Sequence, residues 1–154
     1  MNADKLKEKK MAQKTKLKHA DITEKILHVF FKKVYHQLGY GFLEKVYENA
    51  MALELRQMGL KVEQQAPINV YYGNAIVGVY YADLVVQDAV LVELKAAKTI
   101  DPAHEAQLLN YLRATPYEVG LLLNFGPKAS FKRLSFDNHR KKTKTWQPKS
   151  TNSI

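Results

Sequence analysis

Apolar residues recur every four positions at Ile22, Ile26, Phe30, Val34 and Leu38, flanked by Leu27 and Phe31, and the stripe stops at Gly39. A single apolar face on an otherwise charged segment predicts an amphipathic helix. Ahead of it, Asp21-Ile22-Thr23-Glu24 has the D-x-x-E form of a capping box, which would satisfy backbone N–H groups that the first turn leaves open. A second helical pattern follows Gly39-Tyr40-Gly41, running through Val46, Tyr47, Ala50, Leu53, Leu55 and Met58 to Gly59, a residue suited to the left-handed position after a helix. Together these segments predict an N-terminal helical hairpin.

From Lys61 the period shortens. Runs rich in Val, Ile and Tyr at 61–65, 67–72, 75–86 and 89–95 are separated by Pro67, Gly73-Asn74 and Gln87-Asp88, which predicts an antiparallel meander. Asp83-Leu84-Val85-Val86 and Ala89-Val90-Leu91-Val92 are apolar at successive positions near their turn, so both faces of these strands need cover and helices must pack on the sheet. Asp101-Pro102 supplies an N-cap and a proline at the first helical position for a helix reaching about Ala114, before Pro116. Residues 118–125 read as another apolar strand and residues 130–136 as a short edge strand. Residues 1–20 are Lys-rich, lack Phe, Trp and Tyr, and show no sustained apolar period; they read as a disordered or loosely helical arm. The expected organisation is an arm at 1–20, one α+β domain at 21–136, and a basic tail, also disordered, at 137–154.

Composition narrows the chemistry. A chain of 154 residues with 46% hydrophobic side chains builds one domain with a real core. Without cysteine there are no disulfides, thiolate nucleophiles or sulfur-ligated zinc, so any metal must sit on oxygen or imidazole. A reducing, cytoplasmic setting is the matching expectation. No apolar run approaches the roughly 18 residues of a membrane span, and no apolar signal segment follows the Lys-rich start, so a soluble protein with no membrane partner is expected. The net charge of +9 resembles a nucleic-acid signature until it is divided. Residues 1–20 carry seven Lys against Asp4 and Glu8, and residues 137–154 carry five basic side chains against Asp137, leaving 12 basic and 12 acidic side chains between. The excess lies in the tails, where it either contacts phosphate backbones by counterion release or serves only to keep the chain soluble.

Three charges then stand out against this apolar background: Asp83, and ten residues later Glu93-Leu94-Lys95. Burying a carboxylate or an ammonium costs several kcal/mol unless it is paired or binds a metal. Residues two apart in a strand share a face, so Glu93 and Lys95 point the same way. Asp83 opposes Glu93 only if the hairpin is centred on Asp88, with Gln87-Asp88-Ala89 as an odd-numbered loop or with a bulge; a two-residue turn would oppose Asp83 to Val92 and split the group. If they meet, Asp83 and Glu93 offer hard oxygen ligands for Mg2+ or Mn2+, while Lys95 can orient a water or face developing negative charge. The alternative at this point is a cross-strand salt bridge of Lys95 with Asp83 or Glu93.

Asp83 followed by Glu93-Leu94-Lys95 resembles the D…(D/E)-x-K signature of the PD-(D/E)xK nuclease superfamily, with Ala82 at the nominal proline position. Gly41-Phe42-Leu43-Glu44-Lys45-Val46-Tyr47 matches the G-x-x-E-x-x-Y string of the GxxExxY protein family. His104-Glu105-Ala106-Gln107-Leu108-Leu109-Asn110-Tyr111-Leu112 resembles that family's H-E-A-Q-L…Y-L helix, and Gln107-x-x-x-Tyr111 is similar to the Q-x-x-x-Y element of recombination-type exonucleases. The strand ending Gly120-Leu-Leu-Leu-Asn-Phe-Gly126 fits as well, so the likeness runs from about Ile22 to Phe136. One departure is Tyr81, where many members carry arginine before the Ala-Asp pair.

The resemblance implies a restriction-endonuclease-like α/β (α+β) fold, a mixed central sheet flanked by helices with the metal site where strands diverge. It implies that Glu44 joins Asp83 and Glu93 around the metal, the alternative being a first-turn acid that complements the helix dipole. Gln107 and Tyr111, four apart on one helical face with His104, would contact substrate or a metal-bound water. For Tyr47 and His104 packing is the simpler role. The expected activity is Mg2+- or Mn2+-dependent hydrolysis of phosphodiesters in DNA, with RNA second. A non-catalytic nucleic-acid-binding or protein-interaction module on the same fold is the competing reading. A protein partner supplying specificity and a homodimer are both compatible with a chain that carries no base-reading motif.

Overall fold

A computed structural model of the chain describes residues 2–7 and 17–142. Most of the expected basic arm and tail lies outside the described residues. The first long helix, α1, comprises Ala20–His28, a π-helical stretch Val29–Val34 and a closing α-turn Tyr35–Leu38. The strict four-residue spacing of its apolar stripe is too long for 3.6 residues per turn. Inserting i→i+5 turns slows the winding and keeps Ile26, Phe30 and Val34 on the buried side. The expected capping box does not form. The helix starts at Ala20 after left-handed His19 (φ 56°), which places Asp21 inside the first turn with no capping side chain ahead of it.

The second helix, α2, spans Glu44–Gln57. Its end follows the Schellman pattern: Gly59 (φ 85°) donates to Arg56 O at 2.9 Å and Leu60 donates to Leu55 O at 3.1 Å. Its buried face is Tyr47, Glu48, Met51, Ala52 and Leu55, whereas Val46, Leu53 and Met58 are exposed. The stripe read from sequence is thus rotated, and an acid lies within the true one.

Five strands follow in spatial order: β1 (Val62–Tyr72), β2 (Ala75–Val86), β3 (Val90–Lys95), β4 (Val119–Phe125) and β5 (Ala129–Ser135). The meander β1-β2-β3 is antiparallel as expected, β3 and β4 are parallel, and β5 closes the sheet antiparallel to β4. The expected runs at 61–65 and 67–72 are one strand. Pro67 is tolerated because β1 lies at the sheet edge, where a missing N–H costs no ladder bond. The parallel step is made by helix α3 (Pro102–Ala114), capped by Asp101 Oδ1 accepting from Ala103 N–H at 2.8 Å. The result is the mixed sheet flanked by helices that the sequence implied.

Apolar cores cover both faces. α1 and α2 pack Ile26, Phe30, Tyr47, Met51 and Leu55 against Leu84, Val92, Leu121 and Phe125. α3 packs Leu108 and Leu112 against Val85, Leu91 and Leu122 on the other face. Ordered packing passes the expected limit at Phe136: a 3-10 turn at Asn138–Arg140 follows, and buried Lys141 donates to the Thr115 and Tyr117 carbonyls at 2.8 and 2.7 Å. Among the described residues no helix is long and apolar enough to cross a membrane.

Candidate active site

The β2–β3 turn is Gln87-Asp88-Ala89, with Gln87 (φ 56°) and Asp88 (φ 51°) both left-handed. It pairs Val86 with Val90, Val85 with Leu91 and Leu84 with Val92, so the hairpin is centred on Asp88 and aligns Asp83 with Glu93. There the ladder stops and the carboxylates replace it. Leu94 N–H donates to Asp83 Oδ2 at 2.8 Å, and Asp83 N–H donates to Glu93 Oε1 at 3.2 Å. The strands part where these two side chains enter the gap.

Glu93 is 6% exposed. Burial, and next the charge of Asp83, push its carboxyl up to about 8, against the downward pull of the Asp83 N–H and the positive charge of Lys95. Lys95 lies on the same strand face as Glu93 but, among the described residues, makes no ion pair with either acid within 4.0 Å. The salt-bridge alternative is therefore not what is built here. Lys95 sits directly before a clamp: fully buried Asn124 binds both the N–H and the carbonyl of Ala97 at 3.0 Å, fixing the chain just beyond the lysine. Glycine is required beside that clamp, since any Cβ at Gly126 would collide with the Ala97 carbonyl.

Two further elements approach the acids. From α3, Tyr111 is 7% exposed, and its phenol is raised to about 12 by burial, then by Glu93, Tyr80 and Asp83. From β1, Gln65 donates to Asp83 Oδ1 at 3.2 Å and also to Glu48 Oε1, with its backbone held at φ 53°. Glu48, on α2, accepts from Lys45 Nζ and Gln64 Nε2, each at 2.7 Å. Burial alone would raise the Glu48 carboxyl, but the hydrogen bonds from Lys45, Gln64 and Gln65 outweigh it and hold it below its ordinary value.

Among the residues anticipated from sequence, Asp83, Glu93 and Tyr111 come together, with Lys95 on the same face. Gln107 is exposed and lines, with Tyr111 and Tyr80, a cleft of about 590 Å3 between α3 and the β1–β2 hairpin. His104 does not line that cleft; among the described residues its buried Nδ1 has no hydrogen-bond partner. Tyr47 packs, stacked on Phe125 at 4.1 Å, and its hydroxyl donates to the Gly39 carbonyl and accepts from Phe42 N–H. Glu44 does not join the acids. It is exposed in the first turn of α2 and lines a separate cleft with Phe42 and residues 96–98. Among the described residues no group of three His, Asp or Glu is placed to hold a metal. The acid that does reach toward the pair is Glu48, one helical turn later. The stripe read from sequence passed it by, because the buried face of α2, with Tyr47, Met51 and Leu55, is rotated from the one that spacing suggested.

The donor set fits a hard divalent cation. Two carboxylates share a partly closed gap, no cation among the described residues lies within ion-pair distance of them, and one retains its proton into the neutral range. The pair also lies toward the C-terminal ends of parallel β3 and β4, where open sheets with helical crossovers place their sites. A family model of the PD-(D/E)XK nuclease superfamily matches residues 20–134, and the chain belongs to that superfamily.

Among solved structures, the crystal structure of SSO0001 is similar at 17% identity and TM-score 0.46, over 60% of this chain and 50% of that one. This chain thus spans half of that structure's length. An alkaline exonuclease (LHK-Exo) from Laribacter hongkongensis is similar at 12% identity and TM-score 0.37, over 82% of this chain and 75% of that one. A search of curated proteins gave no match.

Proposed function

We propose that this protein is a metal-dependent nuclease, using Mg2+ or Mn2+ to hydrolyse phosphodiester bonds in nucleic acid, DNA ahead of RNA. The observation that carries the reading is the Asp83–Glu93 pair, in which Asp83 Oδ2 accepts from Leu94 N–H and Glu93 Oε1 accepts from Asp83 N–H, with no lysine or arginine ion-paired to either among the described residues. Membership of a nuclease superfamily, whose members generally use divalent metals, and the GxxExxY-like motifs at Gly41–Tyr47 and His104–Leu112 support it. Mg2+ commonly keeps several waters and needs only one or two carboxylates plus substrate phosphates, so a third acid is not required.

When bound, the cation supplies Lewis-acid polarisation of the phosphoryl oxygens and lowers the pKa of an attacking water. Asp83 and Glu93 would hold it, Glu93 as the carboxylate that burial otherwise keeps protonated. Lys95 orients the attacking water and faces the negative charge that develops at phosphorus. Tyr111 keeps its phenolic proton at neutral pH and donates it in a hydrogen bond to a phosphate oxygen. Gln107 contacts the substrate from the next helical turn. Glu48 is a positioning residue, acting on Asp83 through Gln65.

The test is cleavage of single- and double-stranded DNA and RNA with Mg2+ or Mn2+ by the wild type, Asp83→Asn and Lys95→Ala. Cleavage by the wild type and loss in both variants is the expected result. Activity retained by both would identify a contaminant; no cleavage in any condition would favour a non-catalytic binding module. The basic tails add backbone affinity. Removing residues 1–16 and 143–154, which spares Lys18 and Lys141, should flatten the salt dependence of binding, and an unchanged slope would make them bystanders.

A further inference from the structure

The cleft between α3 and the β1–β2 hairpin is built unlike the acid pair it adjoins. Tyr71 and Tyr80 line it from the hairpin, and Gln107, Asn110, Tyr111 and Arg113 from the helix. The Tyr80 and Tyr111 rings stand 5.7 Å apart and inclined by 43°, with Tyr80 about half exposed and Tyr111 buried. No acidic side chain lines the space, while Arg113 contributes a cation. Its volume of about 590 Å3 lies within the range of small-ligand pockets. Tyr111 is the shared wall: its ring closes one side of the cleft, and its hydroxyl lies in the field of Glu93 and Asp83.

We infer that this cleft receives one unpaired nucleobase of the substrate, next to the phosphate presented to Asp83 and Glu93, so that the strand being cut is single-stranded or frayed at that point. Aromatic faces stack with any base, which suits a site without sequence preference. The amides of Gln107 and Asn110 each offer a donor and an acceptor to a base edge, groups that duplex pairing would occupy. A base inside a duplex has both faces covered by its neighbours and its pairing edge engaged, so it cannot enter a pocket walled by tyrosines. Arg113, exposed along the lining with its guanidinium 5.1 Å from the Phe136 ring centroid, adds a positive charge that suits the polyanion entering with the base.

The inference rests on the nuclease reading for the position of the phosphate, and the test separates the two. Binding is measured without added metal, in EDTA, by fluorescence anisotropy of labelled 12-mers: single-stranded DNA, matched RNA, a blunt DNA duplex, and a single strand carrying abasic sites throughout. Full-length wild type should prefer the base-bearing single strands over the duplex. Tyr80→Ala should weaken single-strand binding about tenfold, Tyr80→Phe should restore it to within about twofold, and Asn110→Ala should weaken it less. On the abasic strand, Tyr80→Ala should cost nothing further. Equal losses on base-bearing and abasic strands, or no loss from Tyr80→Ala in a protein whose melting is unchanged, would overturn the proposal. Comparison of DNA with RNA tells which sugar accompanies the base. If Tyr80 governs base-dependent binding but the wild type cuts nothing, the nuclease reading fails alone; if it cuts and Tyr80 is indifferent to the base, the cleft reading fails alone.

Discussion

The two ends of the parallel β3–β4 pair each carry two neighbouring carboxylates, and they are treated in opposite ways. Just before β4, Glu118 accepts from Lys18 Nζ at 3.0 Å and from Asn138 N–H at 2.8 Å, while Asp137 accepts from the same lysine at 2.9 Å. Both acids are held below their ordinary values, Glu118 by the Asn138 N–H first and Asp137 by the Lys18 hydrogen bond first. At the other end Asp83 and Glu93 meet with no such lysine, and Glu93 is pushed up to about 8. Acids that exist to hold a chain terminus in place come with their counter-ion. Acids left without one are where the proposed cation would supply the missing positive charge.

The largest break in this comparison is chemical. Asp83→Asn should lower cleavage about 10^3-fold, since it removes a metal-holding oxygen, whereas Lys18→Ala should leave the rate within about twofold. Equal effects in a discontinuous phosphodiesterase assay would erase the distinction. Next comes Glu48→Gln, expected to cost about tenfold in kcat by loosening Gln65 and Asp83, against no change for Glu44→Gln. A loss with Glu44→Gln instead would return that residue to the site.

Stability gives the third contrast. Glu93 binds a proton more tightly folded than unfolded, so its contribution is fully present below its ordinary value of 4.5 and lost as pH rises toward about 8. In EDTA, Glu93→Gln should therefore melt about 10 °C above wild type at pH 8.5 and close to it at pH 4.5. A constant gap across pH would show that the carboxyl titrates normally. Smallest is the lysine knot, whose acids are depressed and so stabilise above the ordinary carboxylate range and cease to do so as pH falls through their folded values. Lys18→Ala should give a slight loss of Tm at pH 7 that vanishes at low pH or in high salt, checked by calorimetry.

Much of the framework was legible because each signal was local. Turn residues bounded the strands, Asp101-Pro102 announced α3, and the parity of the Gln87-Asp88-Ala89 loop tied the position of Asp83 to that of Glu93. What escaped was orientation about a helix axis. Glu44 carries the family's motif position, but α2 enters through extended Leu43, so the first turn faces solvent and Glu48 turns inward. The left-handed Gln65 went unread, since nothing in the run 61–65 marks that residue for a positive φ, whereas the π-turn in α1 had a signal in the strict four-residue spacing of its stripe. The Lys18 knot escaped because its partners lie 100 and 119 residues apart in sequence.

The three-residue turn at the tip of the β2–β3 hairpin has a consequence for how such chains are inherited. Its side chains can drift, provided its backbone angles remain attainable, but its count cannot. Loss of one codon there would leave Asp83, Glu93 and Lys95 all encoded and every signature search satisfied, while turning the first acid to the opposite side of the sheet. A lineage could thus lose the proposed site by a deletion that touches none of the acids or the lysine and still look intact. In this chain it is the length of that turn, as much as the acids themselves, that holds Asp83 opposite Glu93.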